Sequence, residues 1–80
     1  MTDNDKHIED CVRDSLETYF KDLDGVEPTA IYDMIQRVVE RPLLEVVMKH
    51  AAGNQSRAAV WLGINRNTLR RKLLEHKLVD

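Results

Sequence analysis

Cysteine occurs once in the 80-residue chain, as Cys11. An intramolecular disulfide is therefore excluded, and a lone thiol fits a reducing compartment. The three histidines, His7, His50 and His76, are far apart and have no zinc-ligand spacing. Neither a metal nor a cofactor is expected. Long apolar runs are also missing. Nothing approaches the roughly 18 residues of a membrane span, and the acidic residues 1–10 contain no signal-peptide core. The expected location is the cytoplasm, with no membrane partner. Glycine is scarce, at 3 residues, and no β-branched stretch alternates as a strand would. No nucleophile–base–orienter set, glycine-rich phosphate loop or paired carboxylate motif is present, so the chain is not expected to be an enzyme. Cys11 reads as a small apolar residue at a helix edge, and His50 and His76 as surface residues. His7 falls in an acidic tail, and Trp61, Met34 and Met48 read as core.

What is present is helical periodicity. Ile8, Val12, Leu16, Tyr19, Phe20 and Leu23 fall on one stripe about 120° wide, predicting a helix over 8–24 behind a disordered acidic tail of residues 1–7. Asp24-Gly25 ends it, with glycine suited to a left-handed cap. Pro28 suits the first turn of a second helix over 28–52. The apolar residues of that segment, from Ile31 to Met48, spread over most of the circumference. A helix that is apolar nearly all round is buried on several sides. A chain this small buries only about 60% of its unfolded surface. With disulfides and metals excluded, a second copy of the chain is the expected cover. Pro42 removes one hydrogen bond inside this segment, and a kink rather than a break is expected because the apolar pattern continues across it. The fold class is all-α, with four helices per chain and residues 8–52 as a dimerisation region.

Residues 54–80 read as a helix-turn-helix. Asn54 is a strong N-cap for a short helix over 55–62, Gly63 closes it, and a last helix runs from Asn65 or Arg66 to Glu75. Ala58 and Ala59 are small where two helices must approach, and Ile64, Leu69 and Leu73 are apolar anchors. With Leu69 and Leu73 facing inward, Asn67, Thr68, Arg70, Arg71 and Lys72 are expected on the outer face, and Arg66 swings outward from the first turn. Such a helix carries the donors that reach base edges and phosphates in a major groove. The start of the third helix is a second anion site, with Asn54, Ser56 and Arg57 beside its unpaired N–H groups. Charge agrees: residues 1–48 hold 12 acids and 5 bases, whereas residues 49–80 hold 7 bases and 2 acids. Charge alone is equally compatible with solvated faces that differ in sign. Two functions are therefore weighed: binding of double-stranded DNA, and docking of a protein partner on the acidic amino-terminal half.

Gly53-Asn54-Gln55-Ser56-Arg57-Ala58-Ala59 and Leu62-Gly63-Ile64-Asn65-Arg66-Asn67-Thr68-Leu69-Arg70-Arg71-Lys72-Leu73 resemble the DNA-binding end of the Fis family, named for the factor for inversion stimulation. Tyr19-Phe20, Tyr32 and Glu40-Arg41-Pro42-Leu43-Leu44 resemble it upstream. The resemblance implies a nucleoid-associated homodimer of intertwined helices that binds and bends double-stranded DNA and regulates transcription and DNA organisation. It implies base contacts for Asn65 and Arg66. It implies backbone or flanking contacts for Asn54, Ser56, Arg57, Thr68, Arg70, Arg71 and Lys72. Members that stimulate inversion carry a β-hairpin arm before the first helix. Only about seven residues precede Ile8 here, so a recombinase partner is not expected. A contact of the acidic half with RNA polymerase is left open. A similar module closes the NtrC-like activators. Their ATPase domain is missing from this chain, which favours a free-standing protein.

Overall fold

The computed structural model describes residues 3–80 and contains four helices: α1 (Asp3–Leu23), α2 (Ile31–His50), α3 (Gln55–Leu62) and α4 (Arg66–Glu75). No strand occurs among the described residues. The chain divides between Ile31 and Tyr32 into two compact units, the first holding α1 and the second nearly all of α2 with α3 and α4.

In the first unit α1 begins at Asp3, five residues before Ile8. Residues 3–7, expected as a disordered tail, are thus helical, while residues 1 and 2 lie outside the described residues. Asp3 and Asp5 sit in the first turn, where negative charge complements the positive end of the helix dipole. His7 belongs to this helix, one turn before the exposed Cys11. Asp24 and Gly25 both take positive φ, and the Val26 N–H donates to the Leu23 carbonyl at 3.0 Å, so the helix stops where the glycine cap was expected. None of its residues is buried. Val12, Leu16, Tyr19 and Leu23 are half-buried along the expected stripe, and Tyr19 meets Phe20 edge to face with centroids 5.9 Å apart.

The start of α2 is later than Pro28 suggested. Ala30 has φ +50°, a left-handed conformation that cannot be propagated by a right-handed helix. Pro28 therefore lies in the connection before α2. The helix then runs through Pro42 to His50 without a break, tolerating the hydrogen bond that the proline ring removes.

The core of the second unit is small. Leu44 and Ala51 from the end of α2 and its following turn pack with Ala58, Ala59, Leu69 and Leu73, all buried. Val47, Met48, Leu62, Ile64, Leu78 and Val79 close around them. Past α4, Lys77 takes φ +58° and the Leu78 N–H reaches back to the Leu73 carbonyl at 2.9 Å. This turn brings Leu78 and Val79 onto the core. Trp61, expected in the core, is 54% exposed. The narrow face of α3 is filled by two alanines, and no depth remains for an indole. On α2, Tyr32 is 81% exposed, and Val38, Val39, Leu43 and Val46 are also open to solvent.

Candidate nucleic-acid interface

The geometry of α3 and α4 is set by local chemistry at their ends. Asn54 has extended backbone, and its Oδ1 accepts from the Arg57 N–H at 3.0 Å. Asn65 does the same one helix later, accepting from the Asn67 N–H at 2.7 Å. Each side chain satisfies one of the N–H groups that a helix start leaves unpaired. Between them Gly63 takes φ +74° and donates to the Ala59 carbonyl at 2.9 Å, while the Ile64 N–H donates to the same carbonyl at 3.1 Å. A Cβ at Gly63 would meet nothing within 4 Å, so positive φ, not space, is what glycine supplies here.

The two alanines then do what their size allows. Ala58 and Ala59 are buried where α3 meets α4, and Leu69 and Leu73 are fully buried on the facing side of α4. Burying that face leaves Arg66, Asn67, Arg70 and Arg71 exposed on the remainder of α4. Thr68 is half-buried at the edge. Asn54, Ser56 and Arg57 are exposed at the start of α3. The expected polar set thus stands at the surface of a single helix-turn-helix, with one exception.

Lys72 is that exception. Its Nζ lies 2.7 Å from Glu40 Oε2 on α2, and its side chain is only 26% exposed. The other carboxylate oxygen, Glu40 Oε1, lies 2.9 Å from His76 Nε2. His76, expected at the surface, is therefore half-buried against α2. Arg41 adds a hydrogen bond from Nη1 to the His76 carbonyl. Burial acts to raise the Glu40 pKa, but the hydrogen bonds and charges of Lys72 and His76 outweigh it and hold the carboxyl below its ordinary value.

Helix geometry contained a hint of this. Lys72 lies only about 60° from Leu69 around α4, on the buried side of the wheel. Lys72 on α4 and His76, which caps it, are four residues apart and so fall on the same side. Glu40 itself gave no local signal, because its partners are 32 and 36 residues away in sequence.

Among the described residues no group of three or more His, Cys, Asp or Glu could hold a metal ion. Among the same residues no helix is long and apolar enough to cross a membrane.

Comparison with known proteins agrees with this architecture. The family model for bacterial regulatory proteins of the Fis family matches residues 35–76, which span the later part of α2 and both helices of the motif. A Fis-like DNA-binding protein of Ralstonia nicotianae is 61% identical over 72 residues, covering 90% of this chain and 94% of its own length. A Fis-like DNA-binding protein of Neisseria meningitidis serogroup A is 57% identical over 72 residues, covering 90% and 91%. The DNA-binding protein Fis of Glaesserella parasuis is 43% identical over 72 residues, covering 90% and 74%. The helix-turn-helix of α3 and α4, its exposed arginines and these likenesses place the chain in the Fis family of bacterial regulatory proteins.

Proposed function

We propose that the chain binds double-stranded DNA as a homodimer, bends it, and acts in the nucleoid on transcription and DNA organisation. The observation that carries the reading is the division of α4 into two faces. Leu69 and Leu73 are wholly buried on one, and Arg66, Asn67, Arg70 and Arg71 are exposed on the other. A helix held so firmly on its apolar side presents its cations in fixed register, which a major groove requires. Asn65 and Arg66, at the start of α4, would read base edges. Arg57, Ser56 and Asn54 at the start of α3, with Thr68, Arg70 and Arg71, would take phosphates. The names of the relatives support DNA as the ligand.

The dimer is supported by α2. Tyr32, Ile35, Gln36, Val39, Glu40 and Leu43 line an open groove of about 280 Å³ on one side of that helix. The exposed Val38, Val39, Leu43 and Val46 add apolar surface that a small soluble chain does not ordinarily leave in water. A second copy covers such a surface with its own identical face. Two reading heads then sit at a fixed separation. Where that separation is shorter than the ~34 Å DNA turn, the duplex must bend to meet both, and sites that deform easily are favoured.

Gel-shift titration on duplexes carrying one site at permuted positions, with a sedimentation mass on the same sample, tests the reading. The expected results are a mass of two chains and a mobility that depends on site position. Mobility independent of position would remove bending. A monomeric mass would remove the dimer, and failure to shift any duplex at moderate salt would remove DNA binding.

A further inference from the structure

Among the described residues, Lys72 is the one cation of α4 with an ion-pair partner inside the molecule. Both oxygens of Glu40 are engaged, one by the Lys72 ammonium at 2.7 Å and the other by His76 at 2.9 Å. The three side chains are 26%, 18% and 11% exposed for Lys72, Glu40 and His76. Exposed ion pairs exchange their partners freely, but this one does not have that freedom. Moving Lys72 to a phosphate would leave a half-buried carboxylate short of its charged partner, which is unfavourable. Arg70 and Arg71, its neighbours on the same helix, have no such tether and remain exposed.

We propose that Glu40 limits the sequence-independent, salt-sensitive part of DNA affinity by holding Lys72 on α2 and so keeping one cation of each recognition helix off the DNA backbone. This rests on the DNA-binding reading above and deepens it. Phosphate contacts position a protein but carry no sequence information. Each one strengthens binding to every duplex alike and steepens its salt dependence by about 0.9 in the slope of log K against log salt. Withholding Lys72 therefore lowers affinity for every duplex alike and shallows its salt dependence, while discrimination is left to Asn65, Arg66 and the bendability of the site. Glu40 touches no DNA in this scheme. It is a positioning residue that acts through Lys72.

The test is fluorescence anisotropy of the full chain on two labelled duplexes, one random and one selected for tight binding, from 50 to 200 mM salt. In a dimer, two lysines are withheld. Glu40→Gln is expected to steepen the slope by about 1.8, equivalent to an extra loss of about 12-fold in affinity across that range, and to tighten binding to the random duplex at 50 mM salt. Adding Lys72→Gln to Glu40→Gln is expected to return the slope to its wild-type value. Lys72→Gln alone is expected to leave the slope unchanged, whereas Arg71→Gln makes it shallower by about 1.8. This pair keeps the test decisive if Glu40→Gln fails to fold. A Lys72→Gln slope as shallow as that of Arg71→Gln would overturn the proposal, as would a folded Glu40→Gln protein with wild-type slope. Absence of any complex with the wild-type chain would instead remove the DNA-binding reading itself, and this inference with it.

Discussion

Replacing Leu69 by alanine removes the side chain at the centre of the contact between α3 and α4. Leu69 is fully buried, and its surroundings include Ala58 and Ala59, which have no flexible side chains to move into the space. Deleting a buried leucine costs about 2.7–5 kcal/mol, most where the site cannot collapse. Two packed alanines and a capped turn at Gly63 hold the walls apart, so a loss of about 4 kcal/mol is expected here. A domain of this length is stable by about 4–12 kcal/mol. Leu69→Ala should therefore lower the melting temperature by roughly 20 °C. Val60→Ala is the control, because Val60 is on the same motif but 77% exposed, and it should cost less than about 0.5 kcal/mol. Thermal and urea unfolding followed by far-ultraviolet circular dichroism would measure both. Chain concentrations must be matched, since a dimer melts in a concentration-dependent way. Equal losses in the two variants would refute the assignment of the core to this contact.

Three further outcomes are expected. Ala52 has φ +54° immediately after α2, and Ala52→Gly should relieve about 1 kcal/mol of left-handed strain, less the greater unfolded freedom of glycine; a lower urea midpoint would contradict this. Asn54→Ala removes the acceptor for the Arg57 N–H and should cost about 1 kcal/mol, with Asn54→Asp restoring most of it in the same urea assay. Glu40 has a folded-state pKa below its ordinary value, so its contribution is fully present above the unfolded pKa and disappears as pH falls through the folded one. The stability gap between wild type and Glu40→Gln should accordingly shrink as pH drops below about 4.3, and a gap that does not change with pH would sink the linkage.

Much of the helix-turn-helix half was legible because it is governed by neighbours in sequence. Asn54, Gly63 and Asn65 act on N–H and carbonyl groups within a few residues, and the spacing of Leu69 and Leu73 alone decides which face of α4 is buried. The bounds of α3 and α4 follow from these. The start of α2 was less legible, since nothing at Ala30 announces a positive φ, while Pro28 invites a helix there. Trp61 misleads by residue type: a large apolar side chain usually packs inside, yet the inner face of α3 is taken by Ala58 and Ala59. The Glu40–Lys72–His76 cluster joins residues more than 30 positions apart. The place of Lys72 about 60° from Leu69 hinted that it turns inward, but no pattern within α4 could name Glu40 on α2 as its partner.

The most direct test of the central claim is the salt dependence of duplex binding by the wild-type chain. Arg57, Arg70 and Arg71 are exposed on each helix-turn-helix, which offers a dimer up to about six phosphate contacts and a slope as steep as about −5. The expected result is a fall in affinity of roughly 10³-fold between 50 and 200 mM salt. A change of less than tenfold, or no complex even at 50 mM, would contradict a DNA-binding face built from these arginines.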